Sequence, residues 1–85
     1  METNEKSKMI ILQTVDNQIN SNDPPEVALN YERLKSEGFS EEEAKLYIAQ
    51  ALAVEIYYIL KDKKPHNEER YRRNLNNLPN EPSEN

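Results

Sequence analysis

The stretch from Phe39 to Leu60, FSEEEAKLYIAQALAVEIYYIL, decides what kind of molecule this chain makes. It opens on a helix start: Ser40 with Glu43 three positions later matches a capping box, in which each side chain satisfies the other residue's backbone N–H. Phe39, just ahead, is placed to pack on Ala44 as a hydrophobic staple. The spacing predicts a helix from Glu41 to Lys61 or Asp62. At about 100° per residue, Ala44, Ile48, Ala51, Leu52, Tyr58 and Ile59 make a broad apolar face. Leu46, Ala49, Ala53, Ile56, Tyr57 and Leu60 carry apolar character onto its flanks. A helix with so little polar circumference is covered on several sides, which makes this third helix a long central strut.

Upstream, Ile11, Leu12, Val15 and Ile19 share one face of a first helix running from about Glu5 to Ile19 or Asn20, with Asp16 and Asn17 turned away. NSNDPP breaks it. Asp23 before Pro24 and Pro25 then reads as a helix start, with the Asp23 side chain as cap, proline in the first turn and Glu26 favourable near the positive end. Val27, Tyr31 and Leu34 form the stripe of this second helix, which ends at Gly38, the single glycine of the chain. Downstream, KDKKPHN is a connection, and Asn67 caps a short fourth helix with Tyr71, Leu75 and Leu78 on one line and Pro79 as its stop.

The expected fold is all-α, a small three- or four-helix bundle or open helical array. Its 85 residues fit one domain at most. Residues 1–4 are expected to be disordered, 5–79 to form the helical domain and 80–85, NEPSEN, to be a disordered tail.

Composition excludes several functions. The formal charge of −5 opposes general binding to a phosphate backbone. With no cysteine there is no disulfide, thiolate nucleophile or cysteine-based zinc site. The lone glycine excludes phosphate-cradling and dinucleotide loops, and no serine stands in a nucleophile context. The apolar run Met9 to Leu12 is too short for a signal peptide, and Ile48 to Leu60, interrupted by Gln50 and Glu55, is too short to span a membrane. The expectation is a cytoplasmic protein without a cofactor.

Glu55 is the one carboxylate within the apolar run ALAVEIYYIL. It lies near the angular middle of the inner face, so it is expected to be buried, either as a general base or metal ligand or as an acid satisfied within the fold. Its expected structural partners are a tyrosine hydroxyl, Arg33, Arg70 or the free N–H groups of a neighbouring helix end. A catalytic or metal role lacks companions, because His66 is the sole histidine and sits in a basic loop. No catalytic or metal residues are therefore assigned.

Two surfaces remain. Tyr47, Ile56, Tyr57, Tyr58 and Leu60 exceed what one small core can absorb, which points to a protein partner or homodimer. The Tyr57 side is expected to be covered by the first helix or by another subunit. The segment 61–73 offers Lys63, Lys64, Arg70, Arg72 and Arg73 as phosphate contacts for a regulatory nucleic-acid-binding role, diluted by Asp62, Glu68 and Glu69.

The residues Asn17-Gln18, Asp23-Pro24-Pro25-Glu26, Arg33-Leu34, Glu37-Gly38, Glu42-Glu43-Ala44, Glu55-Ile56-Tyr57, Tyr71 and Leu78-Pro79 resemble a small family of uncharacterised bacterial helical proteins and C-terminal modules. The resemblance covers Asn17 to Pro79 and implies a helical fold and a bacterial origin, with no activity attached. Relatives carry histidine near the positions of Gln13 and Lys45, a departure that puts any metal or acid–base role of the family in doubt for this chain.

Overall fold

The computed structural model describes residues 5–63 and 66–84. Among them are four helices and no strand: α1 (Glu5–Ser21), α2 (Pro25–Ser36), α3 (Glu41–Asp62) and α4 (Glu68–Asn77). α3 is the longest, as its start signal and apolar length require. α2 and α3 each pack against the three other helices, whereas the backbones of α1 and α4 stay apart. The core lies between these helices and contains Val15 from α1, Val27, Tyr31 and Leu34 from α2, Ala44, Ile48, Ala51 and Leu52 from α3, and Tyr71 and Leu75 from α4, with Leu78 just beyond.

The local signals explain most boundaries. Ser40 Oγ accepts the Glu43 N–H at 3.0 Å, and the Glu43 carboxylate accepts the Ser40 N–H at 2.8 Å, so the capping box is complete. Phe39 meets Tyr47 edge-on, with ring centroids 5.1 Å apart. Gly38, at φ +105°, closes α2 in the left-handed conformation. Its N–H donates to the Lys35 carbonyl and the Phe39 N–H to the Leu34 carbonyl, the paired bonds of a Schellman end. Asn67 caps α4 by accepting the Arg70 N–H at 3.0 Å. Leu78 takes the extended conformation that a following proline imposes, and α4 stops before it.

Asp23 is a correction. Pro24 is the N-cap of α2, and no side chain caps that end. Because Pro25 occupies the first helical position, where a missing N–H costs nothing, the cap falls on Pro24, and Asp23 stands one residue too early.

Arg33 fastens α4 to α2. Its guanidinium donates to the carbonyls of Leu78 at 2.9 Å and Leu75 at 3.3 Å, at the end of α4 where the Leu75 carbonyl also accepts the Leu78 N–H. It also donates to Asn30 Oδ1 and Glu37 Oε2, both at 2.9 Å. Asn30 in turn donates to Asn76 Oδ1 at 2.9 Å. α1 and α4 are joined by a side-chain bond, Tyr71 Oη donating to Gln18 Oε1 at 2.7 Å.

Residues 80–84, expected to be loose, form no helix or strand but are held to the bundle. Asn74 exchanges two 2.8 Å hydrogen bonds with the Ser83 backbone, and Tyr58 Oη donates to Glu84 Oε1 at 2.7 Å. The expectations for residues 1–4 and for Asn85 lie outside the described residues. Among the described residues no helix is long and apolar enough to cross a membrane.

Candidate interaction face

Glu55 is 1% exposed, and its carboxylate is fully engaged. Arg70 donates from Nε to Oε2 at 2.6 Å and from Nη2 to Oε1 at 3.0 Å, while the Asn67 N–H reaches Oε1 at 3.2 Å. Of the anticipated partners, these are the arginine of α4 and a free N–H at a neighbouring helix start; Arg33 is committed to the far end of α4. His66 Nδ1 stands 3.6 Å from Oε1, beyond hydrogen-bond length, and its ring meets Tyr71 edge-on. The hydrogen bond to Glu55 is the main cause that raises Arg70 above the ordinary arginine range. Burial, helped by the Glu55 charge, likewise pushes the Tyr71 phenol well above its usual value. The arrangement fixes the start of α4 on α3, and each polar group in it has a structural task.

A cleft of about 570 Å³ opens beside this cluster, lined by Gln18, Pro25, Glu26, His66, Tyr71 and Arg72 among others. Tyr71 is occupied by Gln18, and Arg72 by Glu26 at 3.0 Å. Among the described residues no group of three or more His, Cys, Asp or Glu side chains is placed to hold a metal ion.

The basic segment does not present its cations together. Arg70 is turned inward to Glu55 and stacked 4.6 Å over the Tyr58 ring, which corrects its assignment as a phosphate contact. Arg72 is paired across to α2, Arg73 is exposed, and Lys63 is exposed at the left-handed end of α3. Lys64 lies outside the described residues.

The tyrosine-rich surface divides in the same way. Tyr47 and Ile56 are partly buried against the core, and Tyr58 is overlaid by Arg70 and bonded to Glu84. These three serve the fold of the single chain. Tyr57 and Leu60 remain open, 53% and 70% exposed. α1 lies beside Ala49 and does not cover Tyr57, so of the two covers expected for that side the first helix is not one. Ile59, placed on the inner face by its spacing, is 38% exposed, because the apolar core of α3 gives way to the ionic cluster at Glu55.

What remains open on α3 is ordered. Leu46, Gln50, Ala53, Tyr57 and Leu60 are all exposed and follow one another at steps of four, three, four and three residues. At 3.6 residues per turn these positions fall within an arc of roughly 80°. They lie opposite the inner line of Ala44, Ile48, Ala51 and Glu55, which repeats the same steps. α3 therefore carries two seams: one is filled by the rest of the bundle, and the other faces outward. A shallow groove runs along the outer seam, walled on one side by Ile11 and Leu12 of α1 and on the other by Leu46, Ala49 and Ala53. Leu46, Gln50 and Ala53 were legible as members of this face from their four-three spacing alone, a signal obscured when the apolar residues of α3 are read as one broad surface.

No family model, curated protein or solved structure matches the chain.

Proposed function

We propose that this chain is a non-enzymatic protein-docking module that works through the outer seam of α3. The observation that carries the reading is the second, uncovered seam opposite the core: three large side chains, Leu46, Tyr57 and Leu60, stay exposed at heptad spacing on the longest helix of a small bundle. Such a stripe is the pattern of a helix that seats against another helix. Its tyrosine offers a large contact area at small entropic cost. The polar groups that chemistry would need support the same reading, since Glu55, Arg70 and Tyr71 are consumed in joining α1, α3 and α4. A regulatory role on nucleic acid through residues 61–73 has less support, because Arg70 and Arg72 are neutralised by Glu55 and Glu26.

The test is site-specific photocrosslinking in living cells, with a photoreactive residue replacing Gln50 and, as control, Glu32 on the exposed side of α2. The reading expects a discrete protein adduct from position 50 that disappears when Ala53→Arg is added. Equal labelling at both positions, or none at position 50, overturns it.

A further inference from the structure

The outer seam is matched to itself. Its helix begins with Glu41, Glu42 and Glu43, of which Glu41 accepts the Tyr31 hydroxyl and Glu42 continues the line of the seam, and it ends with Lys61, Asp62 and the capping residue Lys63. A second copy laid antiparallel along the seam would bring the acidic start of each α3 over the basic end of the other and oppose the two helix dipoles. A parallel copy would set Glu42 and Glu43 against their own counterparts, at a cost. A partner for this face needs the opposite charge order along an apolar helix, and this chain supplies it.

We infer that the occupant of the α3 seam is a second copy of this chain, paired antiparallel about the middle of α3. The inference rests on the docking reading above and names its partner. α3 runs from Glu41 to Asp62, so its midpoint lies between Ala51 and Leu52. Pairing about that point sets Leu46 against Tyr57 of the second copy and Gln50 against Ala53 of the second copy, with both relations repeated by symmetry. The large residues meet near the two ends of the seam. The two Gln50 amides flank the twofold axis, where a polar pair inside an apolar seam selects one register over those shifted by a turn. Glu42 then falls opposite Lys61 of the other copy, and Glu43 opposite Leu60 with Lys61 beside it. The contact is isologous, so it closes at two chains and leaves no seam open for further growth. α1 stands to one side of the seam, where its Ile11 and Leu12 wall the groove and lengthen the apolar contact.

The chain has no cysteine, so single-cysteine variants report the arrangement directly. Leu46→Cys and Tyr57→Cys are made separately, with Leu29→Cys, on an exposed position of α2, as control. After mild oxidation, the antiparallel pair predicts a disulfide-linked dimer from the mixture of Leu46→Cys and Tyr57→Cys, at least tenfold above either variant alone. Gln50→Cys mixed with Ala53→Cys should link well above the Leu29→Cys control while keeping every large seam residue, which covers the case in which losing Leu46 or Tyr57 weakens association. Self-linking of each variant with none between them means a parallel pair and overturns the arrangement. Linkage no greater than the Leu29→Cys control in both mixtures overturns the second copy as occupant. The docking reading fails separately, through absence of the Gln50 adduct in cells; an adduct to a different protein would preserve that reading and refute only self-pairing.

Discussion

The guanidinium of Arg70 meets the carboxylate of Glu55 through two hydrogen bonds, Nε to Oε2 at 2.6 Å and Nη2 to Oε1 at 3.0 Å, with the glutamate side chain 1% and the arginine 13% exposed. Removing one partner strands the other charge away from water, which costs more than the pair contributes when intact. Glu55→Ala should lower unfolding stability by about 3 kcal/mol, measured as a shift in the urea midpoint. Glu55→Leu combined with Arg70→Met should recover most of that loss. A single variant that unfolds like the unmodified protein would contradict the structural role given to Glu55.

Arg33 closes the end of α4 from α2, and the fork of its guanidinium reaches acceptors in several directions at once. A lysine there keeps the charge but not the planar fork. Arg33→Lys should cost about 1.5–3 kcal/mol, the range for hydrogen bonds to a charged group. Amide exchange should accelerate in α4 with α1 little changed. Uniform acceleration across all four helices would mean that Arg33 supports the whole bundle and not the α4 junction.

Tyr71 gives the fold an alkaline limit. Its phenol is raised well above the ordinary tyrosine range by burial first and by the Glu55 charge second. The folded chain therefore keeps this proton at pH values where the unfolded chain has released it. The resulting stability is fully present below about pH 10 and is lost as pH rises above it. Tyr31, raised chiefly by burial, and Tyr58, raised chiefly by its hydrogen bond to Glu84, act in the same direction. Tyr71→Phe should thus reduce the fall in stability above pH 10 without removing it. At neutral pH it should cost about 1 kcal/mol through the lost bond to Gln18. Denaturation series at pH 7, 9, 10 and 11 would read both effects, and an unchanged alkaline slope would contradict the assignment.

Gly38 isolates a backbone effect. A Cβ added there meets no atom within 4 Å, yet the residue sits at φ +105°. Gly38→Ala should cost about 1 kcal/mol from backbone strain alone, with the helical circular dichroism retained. No loss in thermal unfolding would mean that the Glu37 to Phe39 turn relaxes to another conformation.

Much of this was legible in the sequence wherever one residue answers one local demand. Ser40 with Glu43, Asn67 and Gly38 mark ends because free N–H groups and a left-handed turn have few solutions, and the core lines of α2 and α4 follow from spacing. Asp23 misled because two prolines follow it, and helix geometry decides which of them takes the cap. Arg33 had no local signature, since its acceptors on α4 are more than forty residues away and meet it only after folding. The outer seam was present in the spacing of Leu46, Gln50, Ala53, Tyr57 and Leu60 but was hidden by its inner counterpart. Two opposite apolar faces on one helix blur into a single hydrophobic one. Tyr58 looked like part of that excess until the tertiary placement of Arg70 and Glu84 showed it covered by its own chain.

If the outer seam of α3 pairs two copies of this chain, sedimentation equilibrium reads the pairing without any label or substitution. Across a micromolar to millimolar range the average mass should climb from the 10.0 kDa of the single chain toward twice that value. Ala53→Arg, placed on an exposed position, should stay at the single-chain mass while unfolding like the unmodified protein. A single 10.0 kDa species throughout the range, or an Ala53→Arg variant that associates unchanged, would rule out pairing through this seam.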